Sequence, residues 1–147
     1  MAVRLNRRRG GAGEVVSFGG RRLISSGGPW EATVGYSRAV VVGDACFVAG
    51  TTDAGPTGRS LHPGDMGGQA RATFEIIDRA LAQAGFAMAH VVRTRMFVTD
   101  MSRASEVLAA HGEWFRDIRP AATIVEVSAL LDPSLLVEIE VDARRDQ

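Results

Sequence analysis

The residue with the clearest chemical potential is Glu138. It stands between Val137 and Ile139, in a run where Leu135, Val137, Ile139, Val141 and Ala143 alternate with Glu138, Glu140 and Asp142. Alternation of period two marks a strand with one buried face. A carboxylate on a packed sheet is costly unless water, a partner or a reaction uses its charge. In an apolar crevice desolvation raises its pKa, which suits a group that takes and returns a proton. Glu138 also has a structural reading, an intersubunit salt bridge, while Glu126 and Glu140 read as solvated or interface-paired.

The other reactive residue types point elsewhere. His62, His90 and His111 are far apart, with no His or Cys at metal-ligand spacing, so no metal site is expected. His111 falls on an apolar helical stripe and reads as a core or interface histidine. Cys46 sits in a β-rich run and reads as a small buried apolar residue. Gly67 and Gly68 open a helix but lack the context of a phosphate loop. No cofactor is expected.

Length and composition narrow the classes. The 147 residues fit one domain with a core that needs no staples. The formal net charge is zero and every basic residue other than histidine is arginine. Nothing in that balance calls for nucleic acid or a membrane surface, and no apolar run reaches the ~20 residues of a membrane helix. A single cysteine fits a reducing compartment. Arg4, Arg7, Arg8 and Arg9 are followed by Gly10-Gly11-Ala12-Gly13, not by an apolar stretch, so a signal peptide is not expected. These features together predict a cytoplasmic protein.

The elements that must position these groups follow in order. Residues 1 to 28 are rich in Arg, Gly and Ser and read as a mobile N-terminal arm, with a short strand available over Glu14 to Phe18. An RNA- or phosphate-binding tail is the sharper alternative for the four arginines. The domain proper is expected over residues 29 to 147. Trp30 and Tyr36 flank its entry, and Trp30 either lines a cleft or pins the arm. Arg38 to Val42 and Ala45 to Ala49 read as a hairpin around Gly43-Asp44. Gly50 ends the second strand, and Thr51 to Gly64 is loop. Asp65 caps a helix whose stripe is Ala70, Phe74, Ile77, Leu81 and Ala84, with Gly85 closing it. Val91 to Thr99 is a strand with Val92, Thr94, Met96 and Val98 on one face. Asp100 or Ser102 starts a second helix, with Ala104, Val107, Leu108, His111 and Phe115 as its stripe. Arg119-Pro120 breaks that helix and leads into a terminal hairpin turned by Leu131-Asp132-Pro133-Ser134.

This order predicts an α+β fold of two layers, a mixed sheet with two helices packed on one face. The opposite face carries Val, Ile and Phe side chains with no helix to cover it. Such a face is usually buried against further copies of the chain, and a cleft lined by two subunits is a natural ligand site.

The chain from Trp30 to Ala143 resembles the Rid family, also called YjgF/YER057c/UK114 and labelled endoribonuclease L-PSP-like. The resemblance rests on Val34-Gly35-Tyr36-Ser37, Phe47-Val48-Ala49-Gly50, Val91-Val92-Arg93-Thr94 through Phe97-Val98-Thr99-Asp100, Arg119-Pro120-Ala121, Val125-Glu126-Val127 and Val137-Glu138-Ile139-Glu140. It implies the chorismate-mutase-like fold, a homotrimer with intersubunit clefts, and hydrolysis of reactive 2-imino acids or their enamine tautomers. Carried over residue by residue, the family tyrosine matches Tyr36, its glycine Gly50 and its glutamate Glu138. The arginine that grips the substrate carboxylate falls on Ala122. The family serine is Ala49, its cysteine Ile124, and an asparagine of the second helix Leu108.

A guanidinium holds a carboxylate through two parallel charge-assisted hydrogen bonds, and alanine offers none. The resemblance, less that arginine, implies a hydrolase or deaminase for a neutral or aromatic imine, enamine or related small molecule. Glu138 would handle water and protons and Tyr36 would orient the substrate, with Ala49, Gly50, Ala122, Ile124, Leu108, Trp30 and Arg95 around it. Two alternatives stay open. One is a trimeric small-molecule-binding or regulatory protein without catalysis. The other is a 2-imino-acid deaminase in which Arg38, Arg93 or Arg95 replaces the missing cation. The endoribonuclease label has little physical support from a chain of zero net charge with nine aromatic residues other than histidine.

Overall fold

A computed structural model describes residues 6–8, 13 and 15–146. The elements in chain order are β1 (Asn6–Arg8), β2 (Val15–Phe18), β3 (Arg21–Ile24), α1 (Pro29–Val34), β4 (Ala39–Val42), β5 (Ala45–Thr51), α2 (Met66–Gln83), β6 (Val91–Val98), α3 (Ala104–Phe115), β7 (Ala121–Glu126) and β8 (Val137–Arg144). The strands form one mixed sheet in the order β1-β2-β3-β4-β5-β8-β6-β7, with only the β6–β7 pair parallel. The fold is thus α+β, as expected.

The helix ends follow their local signals. Asp65 accepts a hydrogen bond from the Gly68 N–H at 2.9 Å and opens α2. Gly85 closes it at φ 77°, a conformation that glycine adopts without strain. Asp100 accepts from the Ser102 N–H and starts a short 3₁₀ turn ahead of α3. Ala70, Phe74, Ile77 and Leu81 of α2 are fully buried and meet Met96, Val98, Val137, Ile139 and Val141 of the sheet in one core. Burial of a side chain of this size contributes ~1.5–3 kcal/mol, so this face anchors the domain.

Four expectations are corrected. The segment read as a mobile arm holds three strands in its described part. Val15 to Phe18 pairs with Arg21 to Ile24 around Gly19-Gly20, and β3 continues the sheet beside β4. β-Branched residues around a glycine pair outweigh the arginine-rich composition. Glu14, Arg4 and Arg9 lie outside the described residues, and the binding-tail reading placed on the four arginines falls largely outside them too. The terminal hairpin is not one: β6 lies between β7 and β8. Its turn nonetheless forms, with Asp132 accepting from the N–H and hydroxyl of Ser134. In β6, Val92 is exposed and not aligned with Thr94, because the register against β8 shifts between Val91 and Arg93. In α3 the buried residues are Val107, Ala110 and Phe115, whereas Leu108 is 46% exposed.

The second face of the sheet has no helix among the described residues. Val42, Phe47 and Val125 are exposed on it, with Phe18 and Phe97 beside them. Among the described residues no helix is long and apolar enough to cross a membrane.

Candidate functional site

The site forms where β5 departs from regular pairing. Val48 stands opposite Val141 and Thr51 opposite Ile139, so Ala49 and Gly50 together face the single residue Glu140. This is a bulge, a device that redirects a strand locally. It keeps Thr51 buried on the helix side and turns Gly50 toward the open face. A Cβ on Gly50 would overlap Glu138 Oε1 and lie 3.1 Å from its Cδ. Glu138 thus rests directly on the Gly50 backbone, and a side chain at that position would push its carboxylate aside. No hydrogen bond to the Glu138 carboxylate is formed by the described residues. Burial pushes its pKa above the ordinary value, against the charge of Arg38 and with the charge of Glu140.

Arg38 lies on the same side. Its Nη2 donates to the Gly50 carbonyl at 2.6 Å, and its guanidinium sits 6.0 Å from the centre of the Tyr36 ring. Tyr36 follows α1, whose end is set by Gly35 at φ 84°. Glu31, in the first turn of α1, is buried and was not foreseen. It accepts from Ser25 Oγ at 2.5 Å, Ser26 Oγ at 2.6 Å and the Ser26 N–H at 2.9 Å. Burial alone would raise its pKa. Those hydrogen bonds and Arg38 outweigh it and hold the carboxyl below the usual range. The signal in the sequence was two serines ahead of Gly-Gly-Pro and an acidic first turn.

Beside this crevice a groove of about 540 Å³ runs along the open face, lined by Phe18, Leu23, Tyr36, Phe47, Ala49 and Glu140 among others. Tyr36 and Ala49 line this groove, and Arg38 links Tyr36 to Gly50, on which Glu138 rests. Trp30 is 55% exposed on α1. Arg95 is on the open face but bound, with Nη1 at 3.2 Å from Glu140 and 3.3 Å from Asp142.

Ala122, Ile124 and Leu108 do not join them. Ala122 pairs with Thr94 and Ile124 with Met96, residues of the buried helix side. Ile124 packs against the core. Glu138 pairs with Phe97 on the opposite face. Ala122 is therefore two strands away from Glu138, several residues along and across the sheet. Within one chain no cleft contains both, because alternation places them on opposite faces. Ala122 is exposed on β7, an edge strand.

The remaining reactive groups are structural. His111 Nε2 lies 2.9 Å from Thr94 Oγ1, its ring packs against Phe74 and Phe115, and burial lowers its pKa. Cys46 is fully buried and burial pushes its thiol up to about 11. Glu126 accepts the Met101 N–H, and Glu140 pairs with Arg95. His62 bonds Asp53, but no metal-binding group of three or more His, Cys, Asp or Glu occurs among the described residues.

Comparison with known proteins places this geometry. A family model described as endoribonuclease L-PSP matches residues 29–145. The crystal structure of Rv2704 from Mycobacterium tuberculosis, described as a YjgF/YER057c/UK114 member, is 48% identical. It superposes with a TM-score of 0.77 over 85% of this chain and 99% of that one. The uncharacterized protein SCO2049 of Streptomyces coelicolor is 37% identical over 84% of this chain and 92% of its own length. The 2-iminobutanoate/2-iminopropanoate deaminase of Rattus norvegicus is 28% identical over 84% and 88%.

Proposed function

The chain belongs to the endoribonuclease L-PSP family, the YjgF/YER057c/UK114 proteins, and on that premise we propose that it hydrolyses a reactive imine or enamine of small size. The observation that carries this reading is Glu138. It is a carboxyl raised by burial, seated against Gly50 on the uncovered sheet face and bare of hydrogen bonds from the described residues. As a carboxylate, such a group can take a proton from water as the oxygen adds to the imine carbon and pass it to nitrogen, giving a carbinolamine. It can then take the carbinolamine hydroxyl proton and pass it to nitrogen as the C–N bond breaks, leaving a carbonyl and ammonia. Tyr36 stands beside the crevice to orient the substrate. The rat relative's name supports the kind of chemistry.

The substrate we propose is neutral or aromatic, not a 2-imino acid. Ala122 carries no cation, and loss of a hydrogen bond to a charged ligand group costs ~1.5–3 kcal/mol. We further propose that the working unit is a homotrimer in the cytoplasm. The uncovered sheet face motivates assembly, and the exposed edge strand β7 could then bring Ala122 of one copy to the Glu138 crevice of the next. The number three comes from the family alone. Steady-state turnover of a panel of neutral imines by the wild type and by Glu138→Ala tests the reading. Turnover by the wild type that the variant lacks is expected, and equal rates would overturn it. A second reading, ligand binding without turnover, is favoured by the apolar groove lining of Phe18, Leu23, Val40 and Phe47. Thermal shifts across the same panel with no product would establish it.

A further inference from the structure

Arg38 enters the crevice from the strand side, on the same face as Val40 and Val42. Of the three arginines that could supply a cation here, Arg93 and Arg95 are engaged by Asp142 and Glu140. Arg38 is not in a salt bridge with any described residue. It gives Nη2 to the Gly50 carbonyl, and its buried Nε has no partner among the described residues. Three groups share its field: Tyr36, Glu31 and Glu138. Glu31 is already held by Ser25 and Ser26. Glu138 has no such support.

We infer that Arg38 is a positioning residue for Glu138, fixing the Ala49–Gly50 bulge through the Gly50 carbonyl and setting a cation beside the carboxylate. This rests on the reading of Glu138 as the acid–base group. The two tasks need different parts of the side chain. The fork of the guanidinium grips the carbonyl in a set direction, and the charge acts on the neighbouring acid. A lysine supplies the charge without the fork, and a glutamine supplies a donor without the charge. The other charged groups facing Glu138 act against Arg38 or are neutralised. Glu140, on the same strand, opposes ionisation of Glu138 but is itself bound by Arg95 of β6. Asp142, one step further, is shared between Arg93 and Arg95. From β5 the crevice receives Ala49 and Gly50, and from β6 the uncharged Phe97.

The test uses the full chain, with Arg38→Gln and Arg38→Lys as variants and two readouts. The first is kcat/KM against pH. The second is the titration of the Glu138 carboxyl carbon by NMR, assigned with Glu138→Gln, which needs no turnover. Arg38→Gln is expected to move the Glu138 midpoint and the acidic limb to higher pH, with a rate loss of roughly 10- to 100-fold. Arg38→Lys is expected to keep the midpoint near its wild-type position while the rate falls. A midpoint unmoved in Arg38→Gln overturns the inference. If Arg38→Gln does not fold, Arg38→Lys decides: an unchanged rate, or a displaced midpoint, overturns it. If the wild type turns nothing over, the functional reading fails, while the carboxyl titration still judges Arg38.

Discussion

Two carboxylates near the end of β5 receive opposite treatment. Asp53 is 1% exposed, and its Oδ2 accepts from Ser60 Oγ at 2.8 Å and from the His62 N–H at 3.0 Å, with His62 Nδ1 also at 3.0 Å. Ser60 in turn is tied to Ser134, whose carbonyl accepts from Gln69 of α2. Glu138 receives no such bonds, only the proximity of Arg38. The bonds to Oδ2 fix Asp53 in one place, although its buried Oδ1 has no partner among the described residues, and that fixing serves architecture. An acid left without such bonds and half-buried keeps its proton affinity high and its oxygens free. The contrast separates a carboxylate that pins two loops together from one available for chemistry.

The comparison breaks first at turnover. Glu138→Gln should lower kcat by roughly 10²- to 10⁴-fold, while Asp53→Asn should leave kcat within a small factor at temperatures where it is folded. Comparable losses in both would erase the distinction. Next, Gly50→Ala displaces the carboxylate without touching the core, because the atom it meets ends a flexible side chain. A loss of roughly 10²-fold with an unchanged circular dichroism spectrum is expected. On the other side, Asp53→Ala strands the donors of Ser60 and His62 and should cost about 1–3 kcal/mol in chemical denaturation. A neutral result there would remove the structural role.

The smallest effect sharpens the comparison through pH. The folded pKa of Glu138 lies above its ordinary value of 4.5. The folded chain thus holds this proton where the unfolded chain has lost it. The stability associated with that proton is complete below the unfolded pKa and disappears as pH rises through the folded one. Glu138→Gln never loses it. The variant should therefore melt higher than the wild type near neutrality, by a margin that closes as pH falls below about 4. A margin independent of pH would mean that the carboxylate is well hydrated.

Much of this was legible in the sequence because its causes are local. Asp65 and Gly85 bound α2, and alternation assigns Val137, Ile139 and Val141 to one face of β8 and Glu138 to the other. Pairing partners were less legible. β7 and β8 run antiparallel with a turn between them, which mimics a hairpin, yet β6 occupies the space between. Which face of β7 matches which face of β8 depends on that intervening strand, so the pattern did not reveal that Ala122 and Glu138 lie on opposite faces within one chain. The Ala49–Gly50 bulge was hidden for a similar reason. Gly50 reads as a strand end, and only the partner strand reveals one residue too many.

That surplus residue has a consequence for any attempt to tidy the sheet. Deleting Ala49 or Gly50 would restore an even ladder between Val48 and Thr51, and would keep Thr51 pointing inward. The shortened strand would gain regularity and forfeit the bare backbone shelf on which Glu138 lies. A better-paired sheet would then have no place for the Glu138 side chain, since the imperfection is what makes room for the acid.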